Sequence, residues 1–82
     1  MKNIGYKNGD LNNSSGANIA RIRKSKNPVV SQRALADKMQ LHGIDIDKNA
    51  IQRIENGKRF VTDIELVVLA KVLEVSVLEL LK

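Results

Sequence analysis

From Ser15 onward, apolar residues recur at helical spacing, and capping residues divide the pattern into five segments. Ile19 and Ile22 share a face with Lys26, with Arg23 beside them, and Asn27-Pro28 ends this first helix because proline disfavours helical geometry in the residue before it. Ser31 is a suitable N-cap for a second helix carrying Ala34, Leu35 and Met39, with Ala36 small enough for close helix contact; Gly43 is its expected stop. Asp47 caps a third helix that turns Ile51 and Ile54 inward and ends at Asn56-Gly57. Thr62 and Glu65 have the spacing of a capping box, followed by the stripe Leu66, Leu69, Ala70 and Leu73. Ser76 and Glu79 repeat that spacing before a short fifth helix with Val77, Leu80 and Leu81. Residues 1–15 are rich in Asn, Gly and Ser without periodicity and read as a flexible N-terminal tail, which leaves residues 16–82 as one all-α domain.

Composition narrows the picture. The 82 residues include one Tyr, one Phe and no Trp, so the core has to be aliphatic. There is no cysteine, which removes disulfides and thiolate metal sites and agrees with a reducing, cytoplasmic setting. The longest apolar run, Leu66 to Ala70, is far short of the roughly 20 residues that span a membrane. No membrane partner is expected. Within this length there is no room for an effector-binding domain, so no small-molecule inducer is expected either.

The net charge of +5 is unevenly spread. Residues 21–60 hold ten Lys or Arg against four acids, a balance of +6, while residues 61–82 hold two against four, a balance of −2. A polyanion engaging the first part explains this; so, on charge alone, does a solvated basic surface.

Candidate chemistry is sparse. His42 is the only histidine and has no cysteine to pair with, so a nucleophile–base pair is not evident. Placed just before a helix-ending glycine, it suits the carbonyls of the helix end. Asp37, Asp45 and Asp47 lack the glycine and spaced oxygen ligands of a calcium loop, and capping is the role expected of Asp47. There is no glycine-rich phosphate loop. Neither an enzyme nor a cofactor is expected.

The informative stretch is Ser31-Gln32-Arg33-Ala34-Leu35-Ala36 followed by Ile51-Gln52-Arg53-Ile54-Glu55-Asn56-Gly57-Lys58-Arg59. It resembles the Cro/CI-type helix-turn-helix, the XRE family. Gln32 opens the second helix, Ala36 is its small internal residue, and Glu55-Asn56-Gly57-Lys58 is the exit of the third. Leu69-Ala70-Lys71-Val72-Leu73 and Val75-Ser76-Val77 are similar to that family's fourth and fifth helices, so the resemblance spans about residues 16–81. It departs from the family's pattern in three places. The stretch Gln40 to Ile46 is about five residues longer than the usual turn, and the expectation is that it extends the second helix by about one turn and then loops through Gly43. The link 27–30 is about two residues longer than the common form. Asp47 stands where Ser or Thr is usual; its charge repels phosphate, or it accepts from a cytosine amino group.

The resemblance implies a five-helix, lambda-repressor-like DNA-binding domain and a transcriptional regulator, by default a repressor, that binds a palindromic operator as a homodimer with half-sites about one helical turn apart. It also implies that Arg23 and Glu55 pair. The residues themselves lead to double-stranded DNA by a second route. A helix N-terminus suits phosphate, and Gln32 sits at one. Lys48, Asn49, Gln52 and Arg53 give the third helix an outer face of long or forked donors that reach base edges or phosphates, and Lys58 and Arg59 follow where a backbone contact is natural. The rival class is a protein-interaction module, antitoxin-like or bridging-factor in type, which would more often place apolar residues on that face. Val77, Leu78, Leu80 and Leu81 leave the fifth helix apolar on more than one side, so Leu78 either folds into the core or contributes to a symmetric interface. Lys2, Tyr6 and Lys7 are candidates for an arm that touches DNA.

Overall fold

A computed structural model describes residues 15–81, and all of the regular secondary structure in that span is helical: α1 (Gly16–Ser25), α2 (Gln32–Leu41), α3 (Lys48–Glu55), α4 (Asp63–Leu73) and α5 (Val77–Leu81). The candidate arm residues Lys2, Tyr6 and Lys7, and the rest of the tail up to Ser14, lie outside the described residues. Ser15 belongs to the helical body: it is buried, and its carbonyl accepts the Ile19 N–H at 2.9 Å.

Capping chemistry sets the starts of the helices. Ser31 Oγ accepts the Ala34 N–H at 2.9 Å, and Asp47 Oδ1 accepts the Ala50 N–H at 2.8 Å. At α4 both halves of the box form, with Thr62 Oγ1 accepting from the Glu65 N–H and the Glu65 carboxylate accepting from the Thr62 N–H. Ser76 Oγ takes the Glu79 N–H at 3.1 Å. Such a side-chain cap contributes about 1 kcal/mol.

Three helices stop in the same way. At α2 the Gly43 N–H reaches Gln40 O and the Ile44 N–H reaches Met39 O; at α3 Gly57 and Lys58 reach Ile54 O and Arg53 O; at α4 Glu74 and Val75 reach Lys71 O and Ala70 O. The paired bonds are those of a Schellman motif, which needs one residue in the left-handed region. Gly43 at φ +83 and Gly57 at φ +77 supply it without penalty. Glu74 supplies it at φ 61, with the Cβ crowding that a glycine avoids.

The length added between α2 and α3 lies mostly in the link rather than in α2, because the Gly43 stop ends the helix at Leu41. Residues 44–47 then run without helix, held by Ile46 in the core, by the Ile46 N–H on Ile44 O, and by Gln40 Nε2 donating to Ile46 O at 2.9 Å.

The core is the aliphatic one that the composition requires. Ile19, Ile22, Leu35, Met39, Ile51, Ile54, Leu66, Leu69, Leu73 and Leu80 are buried, with Ala36 and Ala70 at the close contacts. Ile46 and Val61, both from links, complete it. Full burial of one such side chain contributes about 1.5–3 kcal/mol. α3 packs on α1 and α2, α4 on α2 and α5, and α5 returns to α1, where Asn18 Nδ2 donates to Leu80 O at 3.1 Å.

Candidate nucleic-acid interface

The third helix is eight residues long, just over two turns, and its orientation is fixed from both sides. Inward, Ile51 and Ile54 are fully buried. At its last residue Glu55 is the hub of a network. Oε2 accepts from Arg23 Nε at 2.7 Å, and Oε1 accepts from Arg23 Nη2 at 2.9 Å and Gln32 Nε2 at 2.9 Å. Arg23 Nη1 donates to Val30 O at 3.0 Å. The paired side chains are only 8% and 6% exposed, so this is a buried, two-pronged ion pair joining α1 to α3 and holding the link before α2 as well.

With its inner face and end committed, α3 presents Lys48, Asn49, Gln52 and Arg53, all exposed. No apolar residue interrupts that face, unlike α4, where Ile64 and Val67 are exposed. The cleft between α2 and the start of α3 is lined by Arg33, Asp37, Gln40, Asp47 and Lys48 over a floor of Ala36. Arg33 therefore stands across from Lys48 at the edge of the same face. Sequence reasoning missed it, and its place on the first turn of α2, beside Gln32, is the signal that could have found it. The Asp47 side chain is engaged as the cap of α3 through Oδ1.

The structure separates the residues expected at phosphates. Lys58 is exposed, and the Schellman turn at Gly57 fixes its backbone through the 2.8 Å bond to Arg53 O. Gln32 is half-buried with its amide nitrogen on Glu55, so one of its two N–H donors serves the scaffold. Arg59 turns away toward α4: Nη1 and Nη2 donate to Glu65 Oε1 and Oε2 at 3.0 and 3.1 Å, and Nη1 also donates to Phe60 O. The Glu65 hydrogen bonds raise the Arg59 pKa above its ordinary value; burial opposes them, and the charges of Glu65 and then Asp47 add to them. Burial alone would raise Glu65, but the bonds from Arg59 and from the Thr62 backbone N–H, with the Arg59 charge, outweigh it and hold the carboxyl below its usual range.

An exposed polar face on a short helix docked across a preceding helix, with a buried Arg–Glu pair behind it, is a helix-turn-helix. The family model described as helix-turn-helix matches residues 19–80. The chain belongs to this helix-turn-helix family, which is one of DNA-binding transcription regulators. The match begins in α1 and ends in α5, so it takes in all or part of each of the five helices and not α2 and α3 alone. Neither a curated protein nor a solved structure matches the chain. No helix among the described residues is long and apolar enough to cross a membrane.

Proposed function

We propose that this helix-turn-helix domain is a cytoplasmic, sequence-specific repressor that reads a palindromic operator as a homodimer, with α3 in the major groove. The observation that carries this is the α3 face: Lys48, Asn49, Gln52 and Arg53 are exposed together on a helix whose other side is locked into the core. The major groove admits a helix and distinguishes all base pairs, and the N-terminal residues of the inserted helix go deepest. Lys48, Asn49 and Gln52 are therefore the base readers. Arg53 reads a base or holds a phosphate, and Lys58 and the free donor of Gln32 grip the backbone. A protein-binding module would need apolar anchors on α3, and that face has none.

Selection of bound duplexes from a random pool tests the reading, together with binding measured from about 50 to 200 mM salt, a range over which six to ten phosphate contacts lose about 10³–10⁵ in affinity. The expected result is a palindrome and a steep loss with salt. Binding indifferent to salt, or a recovered pool with no preferred sequence, would end it.

The dimer is tested separately. Of the four apolar residues of α5, Leu80 is buried, Val77 and Leu81 are half-buried, and Leu78 is 69% exposed. Leu78 is our choice for the two-fold contact. Leu78→Asp should shift sedimentation of the DNA-bound protein from dimer toward monomer while leaving the helical circular dichroism intact. A wild-type protein that sediments only as monomer at high concentration, with and without DNA, would remove the homodimer.

A further inference from the structure

Two arginine–carboxylate pairs among the described residues are built differently. Arg23–Glu55 is sealed in the core, whereas the Arg59 and Glu65 side chains remain 27% and 13% exposed. Arg59 follows Lys58 directly after the exit of α3, where the duplex backbone must pass if α3 occupies the groove. A guanidinium makes the same two-pronged contact with a phosphate as with a carboxylate. Glu65 thus occupies the position a DNA phosphate would take on Arg59. It is anchored there independently, because its carboxylate also accepts the Thr62 N–H at 3.1 Å as part of the α4 capping box.

We infer that Glu65 is a positioning residue that holds Arg59 off the DNA, so that it sets the number of phosphates each domain grips. The inference rests on the DNA-binding reading above. In the wild-type protein Arg59 belongs to the scaffold that joins the α3 exit to α4, and the backbone contact at this exit is left to Lys58. Neutralising Glu65 makes the guanidinium available to a phosphate without unmaking the start of α4, since glutamine fills the same capping-box position.

The test uses the full chain and a short random-sequence duplex, so that no operator need be known. Glu65→Gln should bind several-fold more tightly at about 50 mM salt, with the slope of log K against log salt steeper by about 0.9 per bound domain, the signature of one added phosphate contact. Arg59→Ala in the Glu65→Gln background should abolish both changes. Arg59→Ala alone should leave the slope at its wild-type value. Glu74→Gln makes the same change in net charge at the exposed C-terminal end of α4, the opposite end from Glu65, and should leave the slope unchanged. A purely structural role for Glu65 predicts weaker binding in Glu65→Gln and no steepening. The inference is overturned if Glu65→Gln binds no more tightly, if Glu74→Gln matches it, or if Arg59→Ala alone already flattens the slope by about 0.9. Wild-type protein that fails to bind the duplex at all would overturn the DNA-binding reading and this inference together; wild-type binding with an unresponsive Glu65→Gln overturns the inference alone.

Discussion

Glu55→Ala should lower the unfolding free energy by about 3–5 kcal/mol, the cost of leaving one member of a buried ion pair alone. The Arg23 guanidinium would lose two of its hydrogen bonds in a site where its side chain is 8% exposed, and the Gln32 amide would lose its acceptor. For a small domain of marginal stability, about 5–15 kcal/mol, that is a large share of the total. Arg23→Ala should fall in the same range, because it strands the Glu55 carboxylate and removes the donor to Val30 O. The two losses should be far from additive, since either substitution breaks the same contact. Urea denaturation of the wild type, both single variants and the double variant measures this. A single-variant loss below about 1 kcal/mol, the range of exposed pairs, would show that the site is wetter than the structure has it.

The second large effect concerns the division of labour at the DNA. Asn49→Ala or Gln52→Ala should cost about 1–3 kcal/mol on the preferred site and relax the preference at one base pair, because a two-pronged base contact is lost. Lys58→Ala should weaken every sequence alike and reduce the salt slope by about one per half-site. Binding to the selected site and to single-base variants, each across a salt series, separates the two patterns. The assignment is wrong if Lys58→Ala alters sequence preference while Asn49→Ala and Gln52→Ala leave it intact; the long link would then have turned α3 about its axis.

What could be read from the sequence was what depends on near neighbours. Ser31, Asp47 and Thr62 each meet an N–H three residues on, so composition and spacing locate them, and Gly43 and Gly57 announce their turns because the backbone there needs a positive φ. The inward set Ile51, Ile54, Leu66, Leu69, Ala70 and Leu73 follows from helical periodicity. The Arg23–Glu55 pair spans 32 residues and came from family resemblance, not from spacing. Side-chain partners fixed by the path of the chain were not legible. Gln32 and Arg59 both stand where a phosphate contact is natural, yet one reaches an acid 23 residues away across the α2–α3 packing, and the other an acid six residues on, through a turn whose course no local rule sets. The α2–α3 link is a related case: Gly43 is the stop that the sequence marks, but the link's length suggests one more turn of helix, and only the packing shows Ile46 drawn into the core, which holds the residues after Gly43 out of helix.

That link also bears on the thermodynamics of docking. A long connection between two helices ordinarily stores configurational freedom, and a ligand that needs the helices in one arrangement has to remove it. Here Gln40 closes the loop onto Ile46 O, the Ile44 N–H is tied to Met39 O, and the Ile46 side chain is sealed in the core. The ordering is completed when the chain folds, so in the proposed docking α3 would reach the duplex already preorganised. Loosening the clamp, as in Gln40→Ala, moves part of that ordering cost from folding to association, about 1–2 kcal/mol for each backbone residue set free.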